Sequence, residues 1–170
     1  MTANIRFINP DALTKPPTYT QVVEVTGPGR TVFISGQLAT GRDGNLVSRD
    51  FRAQAFQVFE NLTAALAAVG ATFKDVVKVN SYLADVAHLP ILREVRAGYL
   101  NAGALPASTT LGGLSFAREG ALLEVEVVAA LPAKATRASA KPQSAKRASR
   151  KAAAKRGTRK ATAKARGKRR

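Results

Sequence analysis

Cysteine is absent from all 170 residues. That excludes disulfides, a thiol nucleophile and any thiolate metal site. Histidine occurs once, as His88. One imidazole cannot complete a zinc site or a Cys–His pair, and a Ser–His–Asp triad would have to be built on it. His88 stands just before Leu89-Pro90, at a predicted helix start, and reads as a surface or capping residue. There is no run of 18 apolar residues, and Met1-Thr-Ala-Asn-Ile-Arg6 lacks the apolar stretch of a signal peptide. The expectation is a cytoplasmic protein.

Acidic residues are missing from positions 133–170, where sixteen Lys and Arg stand. The whole chain has 27 basic and 11 acidic residues, which leaves 11 of each sign in residues 1–132. A neutral body therefore precedes a cationic tail, and the division predicted is 1–132 and 133–170. The tail also lacks aromatics, Leu, Ile, Val and Met. It cannot bury enough apolar surface to offset chain entropy and is predicted to be disordered when free. Lys146, Arg147, Arg150, Lys151, Lys155, Arg156, Arg159, Lys160, Lys164, Arg166, Lys168, Arg169 and Arg170 form a string of charge suited to DNA or RNA phosphates. Without aromatics or a fixed recognition helix, base stacking and sequence-specific readout are not expected. The composition resembles the Ala/Lys-rich tails of linker histones and bacterial histone-like proteins, and suggests a nucleoid-associated location. A solvated solubility tail and a partner for other polyanions are the alternatives; a membrane partner lacks a hydrophobic face or lipidation signal.

The body suits one domain. Gln21–Val25 and Thr31–Ser35 are short β-rich runs joined by a turn at Thr26-Gly-Pro-Gly-Arg30, and Gly41-Arg-Asp-Gly44 is a second turn. Asp50 can cap a helix running to Val69. Ala55, Val58, Phe59, Leu62, Leu66 and Val69 share one face, and Gly70 stops it. Val76–Leu83 is a strand with Val77, Val79, Ser81 and Leu83 on one side. Pro90 opens a second helix with Ile91, Val95 and Tyr99 spaced by four. Ser108–Leu111 and Leu122–Leu131 complete a β-β-α-β-α-β-β order, an α+β layer of helices on one sheet.

In the last strand Leu123, Val125, Val127 and Ala129 alternate with Leu122, Glu124, Glu126 and Val128. Two carboxylates at i and i+2, about 7 Å apart, thus lie on the face away from the helices. That face is expected to meet a partner subunit; the plainer alternative is two exposed sheet charges.

Five stretches in order resemble the YjgF/RidA family of reactive-intermediate deaminases. They are Phe33-Ile-Ser-Gly-Gln-Leu-Ala39, Asn61-Leu-Thr-Ala-Ala-Leu-Ala-Ala-Val-Gly70, Asp75-Val-Val-Lys-Val-Asn-Ser-Tyr-Leu-Ala-Asp85, Pro106-Ala-Ser-Thr-Thr-Leu111 and Leu123-Glu-Val-Glu-Val-Val-Ala129. The resemblance implies a chorismate-mutase-like homotrimer with clefts between subunits. It also implies hydrolysis of small imines or enamines to a carbonyl compound and ammonia, with neither metal nor other cofactor. Glu124 matches the family's water-positioning Glu, and Tyr19 its N-terminal Tyr. Ser35 and Gly36 match the cleft's backbone-lined wall. The family's Pro-Ala-Arg-Ser motif is broken, because Ser108 stands where an Arg clamps the substrate carboxylate. Thr110 stands where Cys is frequent. A hydroxyl in place of a guanidinium removes about 1.5–3 kcal/mol of charge-assisted binding. Arg118 and Arg93 are candidates to reach the cleft instead.

Two kinds of function follow. One is an imine hydrolase with altered substrate specificity, tethered to nucleic acid by the tail. The other is a non-catalytic trimeric hub presenting three basic tails to DNA or RNA, where avidity raises affinity without new contacts. Ribonuclease activity ranks below both, for want of an acid–base pair beside a basic cleft.

Overall fold

The computed structural model describes residues 3–133. The predicted disorder and phosphate contacts of the tail fall on residues outside that range. The strands are β1 (Asn4–Ile8), β2 (Val22–Thr26), β3 (Gly29–Gln37), β4 (Val76–Leu83), β5 (Ala107–Leu111) and β6 (Leu123–Pro132). The helices are α1 (Phe51–Ala68) and α2 (Leu89–Ala97). The fold is α+β, as the pattern predicts, but it holds two sheets rather than one. β1 and β2 form an antiparallel pair, and a four-stranded mixed sheet runs β3-β6-β4-β5. β1 is absent from the sequence reading because its alternation is weak. It buries little, and its Arg6 pairs across the strands with Glu24 at 2.8 Å, both exposed. The turn after Thr26 therefore leads from one sheet to the other and closes no hairpin: β3 pairs with β6.

Helix α1 starts and stops as its residues dictate. The Asp50 carboxylate accepts the Ala53 N–H at 2.9 Å. At the other end Gly70 takes φ +73°, where a side chain would be strained. Its N–H bonds the Ala67 carbonyl, and the Ala71 N–H reaches back to Leu66 at 2.9 Å, a Schellman closure. The buried face carries Phe51, Ala55, Val58, Phe59, Leu62 and Leu66, each large apolar side chain worth about 1.5–3 kcal/mol on burial. Opposite them lie Val79 and Leu83 of β4 and Leu123, Val125, Val127 and Ala129 of β6.

Three details depart from the periodic pattern. A bulge between Val76 and Lys78 buries Val76 and leaves Val77 half-buried, so Val77 does not share the Val79 face. Tyr99 lies past the Gly98 cap of α2. Its ring stacks on Phe59 at 4.9 Å, and its hydroxyl donates to Glu60 at 2.8 Å. Burial, then the bond and the charge of Glu60, push its phenol up to about 12. His88 occupies the cap position of α2 but makes no capping bond with its side chain. It stacks flat on Phe51 instead, with centroids 4.2 Å apart.

One polar residue is buried within α1's apolar face. Gln54 is wholly inaccessible. Its amide nitrogen donates to the carbonyls of Ser48 (2.9 Å) and Gly120 (2.8 Å), and its oxygen accepts the Leu122 N–H at 2.9 Å. It ties the helix start to the loop that delivers β6. Gln54→Leu keeps the volume but strands all three backbone groups, so stability is expected to fall by about 2–4 kcal/mol. A urea titration should show the midpoint dropping with an unchanged slope.

Candidate functional site

The site residues named from sequence fall into two groups, and the main sheet keeps them apart. The first group surrounds a bulge in β3. Ile34 pairs with Val127 and Gln37 with Val125, so Ser35 and Gly36 occupy one place in the β6 register. The extra residue turns the backbone toward the β6 carboxylates. A Cβ on Gly36 would overlap Oε1 of Glu124; glycine leaves the room that lets the carboxylate lie against its backbone.

Glu124 and Glu126 share the sheet face opposite α1 but not the same surroundings. Glu126 accepts Asn80 Nδ2 at 2.8 Å and the Tyr82 hydroxyl at 3.0 Å, both on Oε1. That bond, followed by burial and the charges of Glu126 and Glu124, raises the Tyr82 phenol above its usual range. Glu126 is thus committed to holding β4 side chains. Glu124, which pairs in register with Tyr82, has no hydrogen-bonded partner among the described residues. Phe33, Ile34, Ser35, Lys78, Asn80, Glu126, Val127 and Val128 line a recess of about 240 Å³ on this face. Phe33 stands 78% exposed at its rim. The Asn80–Tyr82–Glu126 network was not foreseen. Its sequence signal is the alternation of Asn80 and Tyr82 on the non-core side of β4.

The second group gathers at β5, the sheet's parallel edge. Ser108 and Thr110 pair with Val79 and the buried Ser81 of β4, so they point to the helix-covered side. Thr109 lies on the other side and accepts Lys78 Nζ at 2.7 Å. The loop before β2 is pinned here by the Thr20 N–H, which bonds the Pro106 carbonyl at 3.1 Å. Tyr19 thereby joins Thr18, Leu89, Arg93, Arg96, Ser108 and Thr110 around a cleft of about 280 Å³.

Arg96 is the residue that the sequence reading missed. It is buried to 6% exposure at the end of α2. One terminal nitrogen donates to Ser108 Oγ at 3.1 Å and the other to the Thr18 carbonyl at 3.2 Å. Burial, then the Arg93 charge, lowers its pKa from the ordinary arginine range. Of the two arginines proposed to reach the cleft, Arg93 lines it and Arg118 does not. Arg118 belongs to a recess with Asn45, Leu46, Ser48, Arg49 and Glu119. Arg96 has the i, i+4 spacing of Leu92 on the buried side of α2, and that placement is the one cue the sequence offers.

Within one chain, then, Ser35, Gly36 and Glu124 lie together on one sheet face, and Tyr19, Ser108 and Thr110 lie together on the opposite one. Together they define a small α+β protein with an acidic residue on an open sheet and a basic cleft at the sheet edge. The family profile described as Endoribonuclease L-PSP matches residues 10–131, and the chain belongs to that family, which includes the YjgF and Rid proteins. It is 35% identical over 95 residues to a 2-iminobutanoate/2-iminopropanoate deaminase of Dermatophagoides farinae, covering 55% of this chain and 71% of that one. A RutC family protein of Aquifex aeolicus is 32% identical over 112 residues, 65% of this chain and 86% of the relative. Among solved structures, the Rid family protein YyfB of Yersinia pestis superposes with a TM-score of 0.66 at 34% identity, covering 74% of this chain and 98% of that one.

The Gly36–Glu124 contact has a direct test. The atoms a new Cβ would meet are the mobile end of Glu124, so Gly36→Ala is expected to cost less than about 1 kcal/mol, well under the usual cost of overpacking a core. Its crystal structure should show the Glu124 carboxylate swung away from the bulge with the β3–β6 register intact.

Proposed function

We propose that the protein hydrolyses small reactive imines and enamines to a carbonyl compound and ammonia. The observation that carries this reading is the Glu124 carboxylate, set against a glycine bulge and outside the bonds that occupy Glu126. A carboxylate so placed can accept a proton from water as the water oxygen bonds to the imine carbon. The proton passes to the imine nitrogen and gives a carbinolamine; its hydroxyl proton is then carried to the amino group, the C–N bond breaks, and ammonia leaves as the C=O forms. The atoms balance with water as the one co-reactant. The deaminase name carried by relatives supports the same class of reaction.

The reading requires a second copy of the chain. Glu124 and Ser108 lie on opposite faces of their own sheet, so one site can hold both when the open face of one copy meets the cleft of another. A homotrimer closed in this way would cover the exposed Phe33. Ribonuclease chemistry has weaker support, since the one imidazole, His88, is stacked on Phe51 and lines neither recess.

The test is ammonia release from imino acids generated in place by an amino-acid oxidase. Glu124→Gln keeps the shape but removes the base, so the rate is expected to fall about 10²- to 10⁴-fold. Glu126→Gln should act less on rate and more on stability. Equal rates for wild type and Glu124→Gln would remove Glu124 from the chemistry. No ammonia from any substrate would leave the non-catalytic hub.

The second part of the proposal concerns the tail, and its support is charge alone: sixteen basic and no acidic residues in 133–170. It would tether the enzyme to nucleic acid without reading sequence. With about eight phosphates engaged, log affinity for random duplex should fall with log salt at a slope of roughly −7. Deletion after Pro132 removes none of the described strand pairings and should abolish binding. Tight binding by the truncated protein in an anisotropy titration would refute the tether.

A further inference from the structure

The cleft at the sheet edge contains a charge that the fold does not neutralise. Arg96 is nearly inaccessible, yet its two partners, Ser108 Oγ and the Thr18 carbonyl, are neutral. Among the described residues it pairs with no carboxylate. A guanidinium has five N–H donors and keeps its proton in proteins. Two of the five are used in these bonds. The cleft's other charged residue is Arg93, of the same sign. Burying an uncompensated charge is costly, and a bound anion would remove the cost. Here the guanidinium is also held in place by bonds on both terminal nitrogens, while Tyr19 and Thr110 add hydroxyls around the same space. At about 280 Å³ the cleft falls just below the range of about 300–1,000 Å³ usual for drug-sized ligands, so it suits a small molecule. Arg96 reaches this space from α2, over the very serine that stands where a strand-borne arginine would project.

Resting on the imine-hydrolase reading, we propose that Arg96 binds the carboxylate of a small 2-imino acid, so that the substitution at position 108 relocates the anion clamp instead of abolishing it. Arg96 is thus a specificity-determining residue. A planar carboxylate matches its fork, with Ser108 as the spacer that orients it.

The probes are pyruvate and its neutral amide, pyruvamide, titrated against the full-length protein at physiological salt by ligand-observed NMR. Wild type should prefer pyruvate by about tenfold or more, the discrimination given by charge-assisted bonds. Arg96→Gln should erase the preference by weakening pyruvate and leaving pyruvamide unchanged. Arg96→Lys, which keeps the charge but not the fork, should retain part of it. Should the glutamine variant fail to fold, the lysine variant and selective thermal stabilisation of wild type by pyruvate still decide the matter. No preference in wild type, or an equal loss of both probes in Arg96→Gln, would reduce Arg96 to a structural role. The two readings also separate: a pyruvate preference without ammonia release sinks the reaction and keeps the clamp. Turnover of imino acids with an unchanged KM in Arg96→Gln sinks the clamp and keeps the reaction.

Discussion

Strand β6 is paired along both edges, to β3 on one side and β4 on the other, and its side chains differ sharply between faces. One face gives Leu123, Val125, Val127 and Ala129 to the core; the other holds Glu124 and Glu126. A slip of one residue would bury both carboxylates under α1 and expose four aliphatic side chains, so the register is strongly specified. Placement of the acidic cluster follows from that constraint, because core packing and not any local preference decides which way Glu124 points. Gln54 adds a second lock, holding the backbone of Gly120 and Leu122, just before the strand, to the helix start.

Two adjacent carboxylates of the same type are thereby differentiated. Glu126 accepts from Asn80 and Tyr82 through one of its oxygens, which fixes it and links β6 to β4. Glu124 meets a glycine whose missing side chain makes room for it. Neighbouring acids with distinct surroundings can take distinct roles, one positional and one chemical. The basic cleft repeats the theme. Arg93 is exposed and Arg96 buried, three residues apart on one helix, and the buried one has its geometry fixed by neighbours.

The helices and the central strands were legible because their periods are long and regular. α1 carries an apolar stripe over five turns with a capping Asp and a terminating Gly, and β6 alternates without interruption. β1 was not legible, since a five-residue strand paired on one edge buries too little to leave a pattern. The Val76–Val77 parity failed because a bulge adds a residue that no period predicts. At the candidate site, family resemblance and the strand alternation pointed to Glu124, Ser35 and Gly36, and the structure brings Gly36 and Glu124 into contact. Arg96 was not: it reads as one more charged helix residue until α2 is docked and the Ser108 hydroxyl is found beneath it. Which residues meet across the sheet edge depends on tertiary packing, which composition and spacing do not encode.

The β3 bulge has a consequence beyond the site. β3 is an edge strand of nine residues, and a long, flat edge offers unpaired backbone groups to any other chain. The irregularity at Ser35 and Gly36 breaks the regular spacing of those groups near the strand's end and adds local twist. A foreign strand laid along this edge loses registry where the bulge begins. The residue pair that makes room for Glu124 thus also discourages fibril-like growth, so straightening it in pursuit of a better-formed sheet would trade solubility for regularity.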